Sequence, residues 1–275
     1  MDTVDTPVAI TAERQSGAPG QPGTTVGLPS DRAPLRPQGR GSRLGTAVVQ
    51  ALVDDIVSGR FPPGAALPPE ADLCVHFDVS RTVVRESVKV VQEKGLVRIV
   101  QGKGTQVTDS REWNMIDEIV LSSLIRQDES LNILDELITV RAALEREMAA
   151  AAARVADTGQ KGRIADALAA MRNVADSVAL FSEADVAFHD VVMELSQNRL
   201  GRAIVTSIHD KARTNVRYHG SYTDESIVRT LAEHTAIAEA IQAGDPEAAD
   251  RAMWSHIMDS WNRRRPSTRK YLTER

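Results

Sequence analysis

Ser80 to Lys94 reads SRTVVRESVKVVQEK, and this stretch decides the fold. Ser80 is a favoured helix N-cap, and Gly95 follows the run as a C-terminal stop. Val84, Val88 and Val91 recur at i, i+4 and i+7 as an apolar stripe. Thr82, Arg85, Glu86, Lys89 and Glu93 take another face at helical spacing. Arg81 and Arg85 stand one turn apart near the start. Paired arginines flanked by small hydroxyls at a helix N-terminus suit the DNA major groove, where a guanidinium fork reaches guanine O6 and N7 or a phosphate. Taken alone, the pattern also fits the solvated face of an ordinary amphipathic helix. The neighbouring segments separate the two readings.

Upstream, Leu44 to Ser58 carries Val48, Val49, Leu52, Val53, Ile56 and Val57 on one side, and Gly59 ends it. Phe61-Pro62-Pro63-Gly64 is a rigid turn, and Leu67-Pro68-Pro69-Glu70 opens a short helix running to about Phe77. Asp78-Val79 then leads directly into the Ser80 helix, which makes a helix-turn-helix. Downstream, 96–100 (LVRIV) and 105–107 (TQV) predict two strands around the turn Gln101-Gly102-Lys103-Gly104. A hairpin with a lysine at its tip, directly after such a helix, is a wing.

Composition agrees with a packed, helix-rich protein: 42% hydrophobic, 26% charged and only 4% aromatic over 275 residues. The net charge of −5 speaks against nucleic acid only until its distribution is considered. Residues 44–108 balance seven basic against seven acidic side chains, and 81–103 hold six basic residues against Glu86 and Glu93. The basic patch is local, as a small groove reader needs. One cysteine, Cys74, excludes an internal disulfide and reads as a small core residue. No apolar run reaches membrane-spanning length and no secretory signal opens the chain, so a cytoplasmic protein is expected.

The landmarks GRFPPGAALPPEADL, SRTVVRES, EKGLV and QGKGTQV resemble, in register over about 44–108, the winged helix-turn-helix of the GntR family of bacterial transcription regulators. The resemblance implies that Ser80, Arg81, Thr82 and Arg85 face operator DNA, and that Gln101, Gly102 and Lys103 reach the minor groove. Many family members place a DNA-contacting arginine after the glutamate of the LPPE stretch. Ala71 stands there in this chain, so one contact is expected to be missing.

Residues 1–43, rich in Pro and Gly, predict a disordered arm, 109–114 a linker, and 265–275 a frayed basic tail. Between them, helices are expected at about 115–125, 130–156, 160–177, 180–196, 199–218, 224–243 and 247–264, an antiparallel bundle. The fold class is thus mainly α, a winged helix-turn-helix followed by an all-α bundle. Within the bundle, Asp185 and His189 lie at i, i+4, and His234 and His256 fall on apolar stretches of later helices. Each histidine alone fits a hydrogen-bonded core residue. Converging, one carboxylate and three imidazoles make a site for Zn²⁺ or a similar ion. His209 and Arg213, one turn apart, could line the same cavity, but a surface or satisfied pair fits them better.

The segments DVAFHDVVMELSQN, LAEHTAIAEAIQAGDPEAA and WSHI look like the effector domain of the FadR branch of that family, the FCD domain. In its metal-containing members an Asp-x₃-His pair and two later histidines hold one divalent ion, which maps onto Asp185, His189, His234 and His256. The effector's carboxylate binds at that ion, and ITVRAALE implies that Arg141 helps to hold it. Fatty acyl-CoA-responsive members lack the metal histidines, so that ligand class is disfavoured. REWNMIDEIV resembles a stretch of sugar-acid-responsive members. The expectation is therefore a homodimeric regulator, more a repressor than an activator, with Zn²⁺ (Ni²⁺ and Mn²⁺ as alternatives), a small carboxylate effector and operator DNA as its ligands. Two rivals remain open: a metal-dependent hydrolase fused to a DNA-binding module, and a DNA-binding protein whose bundle only dimerises.

Overall fold

The structure, a computed structural model, describes residues 40–213, 218 and 223–265. The expected arm up to residue 39, the tail from 266 and the end of the 199–218 helix lie outside the described residues. Helix α1 (Arg40–Val57) begins four residues ahead of the expected Leu44 and buries Val48, Val49, Leu52, Val53 and Ile56. Helix α2 (Glu70–Phe77) closes on Asp78, whose left-handed φ of 52° lets its N–H reach the Cys74 and Val75 carbonyls. Helix α3 (Arg81–Glu93) starts at the Ser80 hydroxyl, which accepts the Val83 N–H at 3.4 Å. Its Val84, Val88 and Val91 pack on the α1 stripe, closing a small core with Leu67, Leu73, Leu96 and Val107.

Strands β1 (Val97–Val100) and β2 (Gly104–Val107) pair antiparallel from Val97–Val107 to Val100–Gly104, leaving Gln101, Gly102 and Lys103 as the tip. Gly95, at φ +81°, ends the α3 segment where no side chain fits, because a Cβ there would lie 2.2 Å from the Glu112 carbonyl oxygen. That contact shows how the expected linker is held. Ser110–Glu112 forms a 3₁₀ turn capped by Asp109, and the Asn114 N–H donates to the Lys94 carbonyl at 2.9 Å. The segment is fastened to the end of α3 and does not hang free.

Helix α4 (Glu118–Gln127) is N-capped by Asp117, which accepts the Ile119 and Val120 N–H groups at 3.0 and 3.2 Å and the Lys94 ammonium at 2.5 Å. Adjacent helical positions point about 100° apart. Val120 therefore enters the core of the N-terminal module, and Leu121 and Ile125 enter that of the bundle. Asp54 of α1 adds Ser123 at 2.5 Å and Arg126 at 2.6 Å.

The bundle follows as α5 (Asn132–Val155), α6 (Thr158–Asn173), α7 (Val178–Leu195), α8 (Arg199–Arg213), α9 (Asp224–Ala243) and α10 (Pro246–Arg264). Helix α5 packs along α10, which also lies against α9; α6 contacts α7 and α9. The alanines 149, 150, 152 and 153 are buried, and small side chains there permit close helix approach. No helix among the described residues is long and apolar enough to cross a membrane.

Candidate metal and ligand centre

In the N-terminal module, Arg81, Thr82 and Arg85 share the exposed surface of α3, and Ser80 spends its hydroxyl on the cap. Arg85 pairs with Glu70 at 2.7 Å, both side chains exposed, so the guanidinium is free to exchange partners at little cost. Gln101, Gly102 and Lys103 are all exposed at the hairpin tip. Ala71 is exposed in the first turn of α2 and offers no charged contact.

Inside the bundle, Asp185 and His189 from α7, His234 from α9 and His256 from α10 come together. One ligand atom from each lies within 4.8 Å of the others. The imidazoles are oriented from behind. His189 Nδ1 faces Glu145 at 2.5 Å, His234 Nδ1 donates to the Thr230 carbonyl at 2.8 Å, and His256 Nδ1 faces Glu233 at 2.9 Å. An Nδ1–H committed to a carboxylate or carbonyl fixes the tautomer and leaves Nε2 as the inward atom. His189 Nε2 and His256 Nε2 stand 3.2 Å apart, and His234 Nε2 is buried without a hydrogen-bond partner, 3.2 Å from Asp185 Oδ1.

The electrostatics agree. Burial, with His234 nearby, pushes His256 down to about 3, so its ring is neutral. Burial opposes charge on Asp185, yet the three histidines hold its carboxyl well below the usual carboxylate range. Converging lone pairs, an orphaned buried nitrogen and an ionised carboxylate fit a divalent cation, and the four residues suit one of borderline softness.

Two residues outside the expected ligand set complete the centre. Glu145, fully buried, ties the Arg141 Nε to His189 Nδ1. Its burial favours the neutral form, but Arg141 and His189 outweigh it and the carboxyl stays ionised. His209 is buried on α8 with Nε2 3.4 Å from Arg141 Nη1, which also donates to the Tyr218 hydroxyl at 3.0 Å. Burial and then the Arg141 charge push His209 well below its ordinary value, which makes it neutral. The reading of His209 as a surface residue is therefore corrected; it lines a cavity, the alternative set second from the sequence. Glu145 was visible only as the i+4 partner of Arg141. For His209 the only local signal was its one-turn spacing to Arg213, which set cavity lining below a surface or satisfied pair.

A cavity of about 800 Å³ lies between α7 and α8, lined by His189, Glu145, Arg141 and His209 together with Arg199 and Arg202. Arg202 is held by Asp190 through two bonds of 2.7 Å. Arg141 Nη2 has no hydrogen-bond partner among the described residues, so the cavity meets a guanidinium with one donor edge to spare. A bundle that only dimerises would have an apolar interior here; this one buries Arg141, Glu145 and His209 beside the quartet.

Two family models match the chain, "Bacterial regulatory proteins, gntR family" over residues 44–107 and "FCD domain" over 136–259. The chain is 29% identical over 216 residues to the galactonate operon transcriptional repressor of Escherichia coli, covering 78% of this chain and 94% of that one. It is 31% identical to LutR of Bacillus subtilis (74% and 92% covered) and 31% identical to the transcriptional repressor NanR of Citrobacter rodentium (81% and 85%). The solved structure of Lar, described as controlling the expression of the Listeria monocytogenes agr system, shares the fold at 17% identity. It covers 84% of this chain and 98% of that one with a TM-score of 0.51. With relatives that are regulators and not enzymes, the hydrolase reading falls, and the chain belongs to the GntR family of bacterial transcription regulators, joining its DNA-binding module to an FCD domain.

Proposed function

We propose that this regulator is a homodimeric, cytoplasmic repressor whose 115–264 domain holds one divalent ion and a small carboxylate, of the sugar-acid class, and whose 44–108 module releases its operator when that carboxylate binds. Asp185, His189, His234 and His256 hold the ion, Zn²⁺ first, with Ni²⁺ and Mn²⁺ as alternatives. The observation that carries the reading is the set of three imidazoles anchored through Nδ1, with their Nε2 atoms turned to one carboxylate oxygen. The bound ion supplies fixed positive charge and open coordination positions for an anion. Arg141 orients the carboxylate by its free edge, Glu145 keeps His189 in the ligating tautomer, and neutral His209 offers a hydrogen bond without adding charge. On the DNA side, Arg81, Thr82 and Arg85, with Ser80 setting the helix start, read the major groove, and Gln101, Gly102 and Lys103 approach the minor groove. The sugar-acid class is supported by the galactonate operon repressor among the relatives. The expected result by elemental analysis is about one divalent ion per chain, lost in His189→Ala and kept in His76→Ala, an exposed α2 residue. Stoichiometric metal in a His189/His234 double variant would sink the site.

A further inference from the structure

We propose a second small-ligand site, for a phosphate-type oxyanion, where α9 begins and α10 ends. A cavity of about 240 Å³ there is lined by Arg229, Arg263, Arg264, Thr230 and Ser260, with Glu225 at its edge. That volume lies below the range of drug-sized pockets, about 300–1,000 Å³, and suits an oxyanion bearing at most a short organic group. Thr230 and Ser260 are only 4% and 9% exposed, and neither hydroxyl has a hydrogen-bond partner among the described residues. Neither oxygen is sealed off as a buried orphan, so both hydroxyls stay accessible from the cavity. Both line the same small space, and each can donate its O–H to an acceptor placed there.

Three guanidinium groups around that space give the acceptor its charge. Among the described residues Arg229 pairs with Glu225, at 2.6 Å across an exposed pair that an anion can displace. Arg263 grips Glu233 with bonds of 2.6 and 2.8 Å, and Arg264 lies over the Tyr218 ring at 5.5 Å. A planar fork facing tetrahedral oxygens is the usual geometry of phosphate recognition. The hydroxyls of Thr223 and Ser226 are occupied by a reciprocal capping box at the start of α9 and are not needed as ligands. Arg263 also reaches the centre described above, since Glu233 holds His256 Nδ1 at 2.9 Å. An anion on Arg263 therefore competes with the carboxylate that orients a histidine of the quartet. The site itself needs no metal.

Calorimetric titration of the full chain with inorganic phosphate and with glycerol phosphate tests this, in metal-loaded and in chelator-treated protein. Saturable binding of one anion per chain is expected in both preparations, so its failure is separable from failure of the metal reading. Tighter binding of the ester assigns the site to an organic phosphate, and tighter or equal binding of the free ion assigns it to phosphate itself. Ser260→Ala, which removes a hydroxyl without a partner, and Arg229→Gln, on an exposed helix face, should each weaken binding about tenfold. Their thermal midpoints without phosphate should match that of the unaltered protein. Absence of saturable heat with either anion, or unchanged affinity in both variants, overturns the site.

Discussion

Arg81 and Lys103 occupy the two places where single side chains should behave most differently. Arg81 lies exposed at the start of α3, where a bidentate contact to a base edge discriminates by about 1–3 kcal/mol. Arg81→Ala should cost that much at the operator and relax base preference. Lys103→Ala, at the hairpin tip, should instead weaken binding to all sequences and flatten its salt dependence. Operator and random-duplex titrations at several salt concentrations separate the two, and equal losses on both duplexes for both variants would remove the groove assignment. Within the bundle, His256 makes stability depend on pH in the metal-free protein. Its folded value near 3 lies below the ordinary 6.5, so between these limits the unfolded chain binds a proton that the folded chain refuses. Stability must then rise with pH across that window and fall as the medium is acidified. Glu233, held at about 2 by His256 and Arg263 against the opposing effect of burial, adds a loss of the same sign below its ordinary 4.5. Thermal midpoints of chelator-treated protein from pH 7.5 to 4.5 should decline steadily, and His256→Asn should flatten the upper part of the curve. A level curve in the unaltered protein would contradict the buried, neutral imidazole.

Helix α4 is the element through which the two modules touch, and Asp117 is where it can be tested. One carboxylate caps α4 and receives Lys94 from the end of α3, with both side chains mostly buried. Asp117→Ala should cost about 0.5–2 kcal/mol as a lost cap and more through the stranded ammonium. Lys94→Met leaves the cap intact and removes only the tie. That variant should keep metal and operator binding, yet need more effector to release DNA. A release midpoint equal to that of the unaltered protein would show that α4 reports nothing to α3. The helices themselves were legible because 3.6-residue periodicity, caps and Gly or Pro breaks are local signals: Ser80, Gly95 and Gly244-Asp245-Pro246 each act as their types predict. The His/Asp quartet was legible in part, from the Asp185–His189 spacing and from resemblance. The roles of Glu145 and His209 were not, since a buried polar group is recognised by what surrounds it in space, and the contacts that assign them reach across 44 and 68 residues. The double allegiance of α4 also escaped notice, because its apolar positions read equally well as a single stripe.

At the scale of the whole molecule, the question is whether the ion, the carboxylate and the operator share one equilibrium. A ligand changes DNA affinity only by the difference in its own affinity for the two states. Couplings of this kind are about 1–3 kcal/mol, or roughly 5–150-fold in operator affinity. The cavity beside the quartet holds Arg141 at one edge, but Arg141 also balances Glu145, and removing one partner of a buried pair costs about 3–5 kcal/mol. Arg141→Lys is therefore the better probe: it keeps a charge beside Glu145 and loses the planar fork that would grip a carboxylate. It should retain the ion and the operator, with its response midpoint shifted to about tenfold higher carboxylate. His234→Ala removes a nitrogen aimed at Asp185 from the interior of α9, far along the chain from α3, and should lose ion and response together while the 40–107 elements still bind DNA. Both variants are followed by operator titration across a series of sugar acids, with metal content measured on the same samples. Should His234→Ala protein, shown free of metal, still release the operator at the usual carboxylate concentration, the ion is a structural staple of the bundle. The anion would then be held by Arg141 and its neighbours alone.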